Sequence, residues 1–259
     1  MIEAVGGPSA DIKAISTEIL VTVSDAAREL RPQGAPKLTY IYTSGVWVHG
    51  DNRTDVVTDT TPITSPAELV VWRPNSEQAV INDRVLNGIV IRPALVYGRS
   101  GSLLAPFFKS ASEGRVWHPG TPGGRFALIH VDDCADLYVK AVEKSAIAGG
   151  LIFDAANDQT ESVDDFLAAL VKVSGAKTPY EYRQPTNGIF CGGSRLRVAD
   201  YTLFLVFEKA FGTTVLLRPY LARAVLGWRP SKPGLVDGLS VYYDAWKADP
   251  LAPSKGYIL

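Results

Sequence analysis

Residues 88–98 read GIVIRPALVYG, and their reading decides the fold. Ile89, Val90 and Ile91 form an apolar run too short for a buried helix and made entirely of β-branched residues. That is the pattern of a strand covered on both faces, as in a parallel sheet. Arg92 and Pro93 are expected to end the run, because proline has no N–H for ladder pairing and favours a loop. In open α/β sheets ligands sit beyond the carboxyl ends of strands. Residues 93–98 are therefore a candidate ligand-facing wall. An ordinary strand exit accounts for these residues equally well.

The pattern upstream supplies partners for this strand. Pro74 suits the first turn of a helix, where its missing N–H would be unpaired anyway, and that helix is expected to run over 74–86. Residues 51–66, rich in Asp, Thr and Pro, read as a loop. Leu38-Thr39-Tyr40-Ile41-Tyr42 reads as a second strand with Thr43-Ser44-Gly45 as its exit. Ile12, Ile15, Ile19, Leu20, Val23 and Ala27 lie at helical spacing and predict a helix over 12–30, with Ser9 and Asp11 as caps. Before it, a short apolar piece over 1–5 ends at the turn Gly6-Gly7-Pro8.

Downstream, residues 99–124 read as a lobe of loops with one short helix over 103–112. A strand is expected over 125–131, with Asp132 and Asp133 capping a helix over 134–145. A strand over 151–155, a helix from Ser162 to the stop at Gly175, and an extended piece over 180–183 follow. Helices over 200–211, 220–226 and 235–246 complete the pattern. Strands alternate with helices through the first two thirds, which predicts a parallel sheet wound with helices. The 259 residues suit one large domain with a lobe grown from its loops.

Composition narrows the function classes. A formal net charge of −1 gives no electrostatic footprint for nucleic acid or an anionic membrane. No apolar run spans a bilayer and no basic-then-apolar leader opens the chain. Cys134 and Cys191 are the only cysteines and have no neighbouring ligands, so neither a zinc site nor a disulfide framework is expected. A reducing, cytoplasmic setting fits.

Three ordered segments carry a family resemblance. They are Tyr40-Ile41-Tyr42-Thr43-Ser44-Gly45 with Gly50, then Arg92-Pro93-Ala94-Leu95-Val96-Tyr97-Gly98, then His130-Val131-Asp132-Asp133-Cys134-Ala135-Asp136. Together with Leu226-Gly227-Trp228-Arg229-Pro230, they resemble the extended and atypical short-chain dehydrogenases, the NAD-dependent epimerase/dehydratase family. The resemblance implies a Rossmann-like α/β parallel sheet, core about 1–98 and 125–175. It also implies a small mixed C-terminal substrate lobe from about 99–124 and 176–246. NAD or NADP as cofactor, a small-molecule substrate and a homodimer through helices 12–30 and 74–86 are implied as well.

Departures from the family pattern are equally specific. The family opens with a strand, a glycine-rich turn and a helix that holds the dinucleotide pyrophosphate. No such stretch occurs in this sequence, and Gly120-Thr121-Pro122-Gly123-Gly124 lacks the strand-turn-helix context. Met1 aligns with the family's fourth strand, so the sheet is expected to be incomplete in its N-terminal half and NAD(P) binding by this chain alone to be poor. Setting Glu77 on the family's glutamate places Arg73 at the lysine and Leu69 at the tyrosine of the Tyr-x-x-x-Lys pair. Arginine cannot be deprotonated and only supplies charge or binds a phosphate or ribose.

The resemblance then assigns Gly6, Gly7, Thr43, Ser44, Arg73, Pro93 and Val96 to the cofactor side. Ser44, Arg73 and Tyr97 are the candidates for chemistry, with Tyr97 replacing the lost tyrosine from across the pocket. His130 is a candidate general acid or base on the substrate, given its titration range; a hydrogen-bonded strand-end histidine is the alternative. No metal site is expected. Three readings stay open: an atypical or truncated enzyme acting on a small metabolite, a non-catalytic member binding a small molecule or partner protein, and a cofactor-free lyase or cyclase.

Overall fold

Strands and helices alternate along the chain as the apolar runs predict. The computed structural model describes residues 1–6, 11–100, 102–185 and 198–250, with side chains from residue 205 onward in the last stretch. In order the elements are β1 (Ile2–Glu3), α1 (Ile12–Leu30), β2 (Leu38–Thr43), β3 (Asn52–Val57), α2 (Arg73–Ile81), β4 (Leu86–Pro93) and β5 (Leu95–Tyr97). Next come α3 (Ala105–Ser112), β6 (Trp117–Pro119), β7 (Arg125–Phe126), β8 (Leu128–His130), α4 (Val131–Glu143), α5 (Ser145–Ala148) and β9 (Ile152–Ala155). The chain closes with β10 (Glu161–Ser162), α6 (Val163–Ser174), β11 (Glu181–Arg183), α7 (Val198–Phe211), β12 (Val215–Leu217) and α8 (Leu239–Ala248).

The central sheet has the order β1-β2-β4-β9 and every pairing in it is parallel. Its residues alternate strictly between two cores, as a pleat requires. Tyr40, Tyr42, Leu86 and Val90 face one side, where they meet Ala27 of α1 and Val80 of α2. Ile41, Ile89, Ile91 and Phe153 face the other, against Cys134, Leu137 and Ala141 of α4. Helices α1 and α2 therefore lie on the same face of the sheet. Gly88 permits this close seating: a Cβ there would stand 2.1 Å from the Val80 carbonyl oxygen. A third core, built from α3, α6, α8 and the short strands β5, β7 and β8, carries much of the aromatic content.

Several boundaries differ from expectation for identifiable reasons. Helix α2 ends at Ile81, because Asp83 accepts the Val85 and Leu86 N–H groups in a turn that opens β4. Pro93 ends β4 as expected, but no loop follows. It pairs with Ala155 at the last register of β4, and residues 95–97 continue as β5 beside β8 instead of looping. Residues 52–57, expected as loop, form β3 because Val215–Leu217 offers a parallel partner far away in sequence. Helix α4 starts at Val131, and its N-cap is His130, whose Nδ1 accepts the Asp132 N–H at 3.1 Å; Asp132 and Asp133 sit in the first turn. The stretch over 220–226 forms a π-type turn over Ala222–Leu226, stopped by Gly227 at φ 65°. The last helix begins at Leu239.

Three carboxylates, Asp59 and Asp133 buried and Glu161 half-buried, fasten the C-terminal segment to the rest of the fold. Asp59 accepts the N–H groups of Asp154, Tyr220 and Leu221. Asp133 accepts from Ser231 N, Ser231 Oγ and Lys232 N at 2.9–3.0 Å. Glu161 accepts from Leu235 N and Val236 N. No helix among the described residues is long and apolar enough to cross a membrane.

Candidate ligand-binding site

Parallel strands end on one side of a sheet, so the exits of β1, β2 and β4 open together. A cavity of about 710 Å³ lies there. Its floor is Ala4, Val5 and Gly6 after β1, Thr43, Ser44 and Gly45 after β2, and residues 93–96 at the passage from β4 to β5. Leu69, Val70, Trp72 and Arg73 from the start of α2 form one wall, and Leu103 and Phe207 close the far side. The volume is within the range of pockets that hold small organic ligands, and the lining is mostly apolar.

The structure brings most of the sequence-derived positions to this one place. Gly6, Thr43, Ser44, Arg73, Pro93 and Val96 all line the cavity. Gly7 lies outside the described residues, as do Ser9 and Cys191. Tyr97 and His130 are placed elsewhere. Tyr97 donates its hydroxyl hydrogen to the Pro233 carbonyl at 2.7 Å, accepts from Asn157 Nδ2 at 3.1 Å, and packs edge-on against His130 and Tyr242. With His130 Nδ1 accepting the α4 cap bond, its proton sits on Nε2, and burial holds the ring below its ordinary pKa despite Asp132 and Asp133 nearby.

Arg73 is the one guanidinium in the cavity wall among the described residues. Its Nη1 donates to the Tyr42 hydroxyl at 3.0 Å and to the Thr43 carbonyl at 2.9 Å, while its plane stacks 4.7 Å from the Trp72 ring. Burial pushes the Tyr42 phenol up to about 12, and the neighbouring Arg73 charge only partly offsets this. Thr43 Oγ1 is 2.7 Å from the Tyr138 hydroxyl, which burial also pushes well above its ordinary value. Neither of these two phenols is thus poised to exchange a proton near neutral pH.

Ser44 is committed to a buried ion network that the sequence reading did not anticipate. Its Oγ donates to Glu77 Oε1 at 2.5 Å. Arg92 clasps the same carboxylate through Nε at 2.9 Å and Nη2 at 2.6 Å. Arg92 Nη1 stands 3.6 Å from Asp154 Oδ1, and Asp154 Oδ2 meets His49 Nε2 at 2.9 Å. All four charged or ionisable side chains are nearly solvent-free. The available signal was a charge inside an apolar strand run: Arg92 follows Ile-Val-Ile, and Asp154 interrupts Leu-Ile-Phe. Their pairing across β4 and β9 needed the register.

No protein-family model matches the chain. No curated protein is similar to it in sequence. Solved structures share its fold at low identity. The dTDP-glucose 4,6-dehydratase of Bacillus anthracis, crystallised with NAD, superposes with a TM-score of 0.69 at 14% identity, covering 93% of this chain and 69% of that one. The UDP-glucuronic acid 4-epimerase of Bacillus cereus, also with NAD, gives 0.65 at 18%, covering 94% and 72%. A conserved protein of unknown function from Silicibacter pomeroyi gives 0.63 at 21%, covering 96% and 77%. At such identity the likeness is one of architecture: the chain shares the Rossmann-like α/β fold of these structures.

Proposed function

We propose that this chain is an atypical relative of the NAD-dependent epimerases and dehydratases that holds a small metabolite in the cavity at the strand exits. On this reading it does not carry the family's tyrosine-driven hydride chemistry. One observation supports this most directly. Leu69 and Arg73, the positions that the resemblance sets against tyrosine and lysine, both line the cavity, so the wall where an acid–base phenol is needed presents an isobutyl group and a permanent cation.

The donor set among the described residues does not match what a dinucleotide needs. Bound NAD(P) would supply hydride transfer, and a pyrophosphate is ordinarily cradled by a helix N-terminus. The helix that points its N-terminus at this cavity, α1, is capped by Asp11, whose carboxylate accepts the Ala14 N–H and itself lines the space. A diphosphate there would meet the Asp11 carboxylate beside Lys13 and find the Ala14 amide already used. We therefore derive no step through the cofactor. Ser44, Arg73 and Tyr97 remain the residues whose roles in chemistry are proposals; of these, Ser44 and Arg73 reach the cavity.

Isothermal titration of the purified chain with NAD⁺, NADH and NADPH tests the reading. Affinity weaker than micromolar is expected, and micromolar or tighter binding would overturn it. A second reading, a non-catalytic binding member, predicts ligand quenching of Trp47 and Trp72 fluorescence with no turnover. The α1/α2 face is proposed as a homodimer seam, supported by Val21 and Leu30 being 54% and 76% exposed on α1. Sedimentation of Val21→Asp as a monomer beside a dimeric wild type is the expected outcome.

A further inference from the structure

The charge balance of the cavity wall points to the chemistry of its ligand. Arg73 and Glu77 lie one turn apart on α2, a spacing at which opposite charges commonly pair. They do not pair here. Glu77 is taken by the bidentate clasp of Arg92 and by the Ser44 hydroxyl, and it is buried to 1% exposure. Arg73 uses only Nη1, and only toward neutral oxygens. Its Nε and Nη2 have no hydrogen-bond or ion-pair partner among the described residues. Those two nitrogens form the edge of the guanidinium that binds a planar oxyanion through two parallel bonds.

Building on the reading that this cavity is a ligand site, we propose that it takes a monocarboxylate with an apolar body. The carboxylate lies on the Nε/Nη2 edge of Arg73. The body lies against Trp47, Leu69, Val96 and Leu103, which supply apolar wall but no competing charge. A carboxylate fits better than a phosphate ester for two reasons. Arg73 offers one fork, which one planar carboxylate satisfies. Asp11 and Lys13 also line the cavity and offset one another, which leaves the single Arg73 charge for one monoanion to neutralise. The Trp72 ring, 4.7 Å from the Arg73 guanidinium, holds the fork's plane in place before any ligand arrives.

Three probes with the same phenethyl body test this by titration calorimetry: 3-phenylpropanoate, its neutral amide 3-phenylpropanamide, and phenethyl phosphate. The carboxylate is expected to bind about 10- to 100-fold more tightly than the amide, the span of a charge-assisted pair of hydrogen bonds. Arg73→Gln is expected to bring the carboxylate and amide affinities to within about twofold of each other, with an unchanged thermal melting curve reporting that the fold is intact. Arg73→Lys keeps the charge without the fork and is expected to fall between them. Equal affinity for carboxylate and amide, or a preference that survives in Arg73→Gln, would overturn the carboxylate assignment while leaving the cavity a ligand site. Tighter binding of the phosphate would overturn the choice of anion. Failure of all three probes to bind at millimolar concentration would overturn both the assignment and the cavity reading beneath it.

Discussion

His118 makes the stability of this chain fall in mild acid, and the size of the effect follows from its surroundings. It is 2% exposed, stacks on Phe107 with ring centroids 5.7 Å apart, and meets Phe126 and Tyr182 edge-on. Neither ring nitrogen has a hydrogen-bond partner of good geometry among the described residues. Burial pushes its pKa down to about 4; the Phe211 main chain and Asp164 pull the other way, Arg53 adds slightly to the lowering, and none of these reverses it. In the unfolded chain the ring takes a proton below about 6.5, in the folded chain only below about 4. Between those values the unfolded state holds more protons, so stability falls as pH falls. From pH 7.5 to pH 5 the loss is about 2 kcal/mol, at roughly 1.4 kcal/mol per pH unit below 6.5. The assay is urea denaturation of wild type and His118→Phe across that range, taking the difference between the two curves. Carboxylates elsewhere cancel in the difference, and a packing penalty from the larger ring shifts it by a constant. His118→Phe is expected to gain about 2 kcal/mol on wild type between pH 7.5 and pH 5. A difference flat with pH would refute the account of a neutral, desolvated imidazole.

Three further outcomes are expected. Glu77→Gln leaves Arg92 buried without its counter-ion and should cost about 3–5 kcal/mol in chemical denaturation; a loss under about 1 kcal/mol would deny the network its structural role. Asp133→Ala strands the Ser231 and Lys232 N–H groups and should cost about 3 kcal/mol, with faster amide exchange at those residues than in wild type. Gly88→Ala drives a methyl into the Val80 carbonyl and should lower stability by at least about 3 kcal/mol, read as a drop in Tm.

Local signals sufficed where local physics decides. A helix over 12–30 follows from spacing and an Asp cap, and it appears with those bounds. Ser162 and Gly175 bracket α6 for the same reason: a side-chain acceptor at the start and a left-handed glycine at the end. Residues 51–66 failed as a pure loop because β3 is extended only by pairing with β12, and no local signal reports a partner so far along the chain. Arg92 and Pro93 do close β4, and what no local signal reports is that Arg92 is buried there between Glu77 and Asp154.

The candidate site divides along the same line. Apolar pattern and order pointed to a parallel α/β sheet and to its strand exits as the ligand wall, and the family resemblance added Thr43, Ser44, Arg73, Pro93 and Val96 as candidates there. The same resemblance set Leu69 and Arg73 against the family's tyrosine and lysine, a comparison of residue identity that needs no coordinates. Only the tertiary structure decided which groups were already taken. Hydrogen bonds and ion pairs between distant residues consume Glu77, Ser44 and Tyr97 and leave one edge of Arg73 unmet, because pairing depends on position in space and not on separation along the chain.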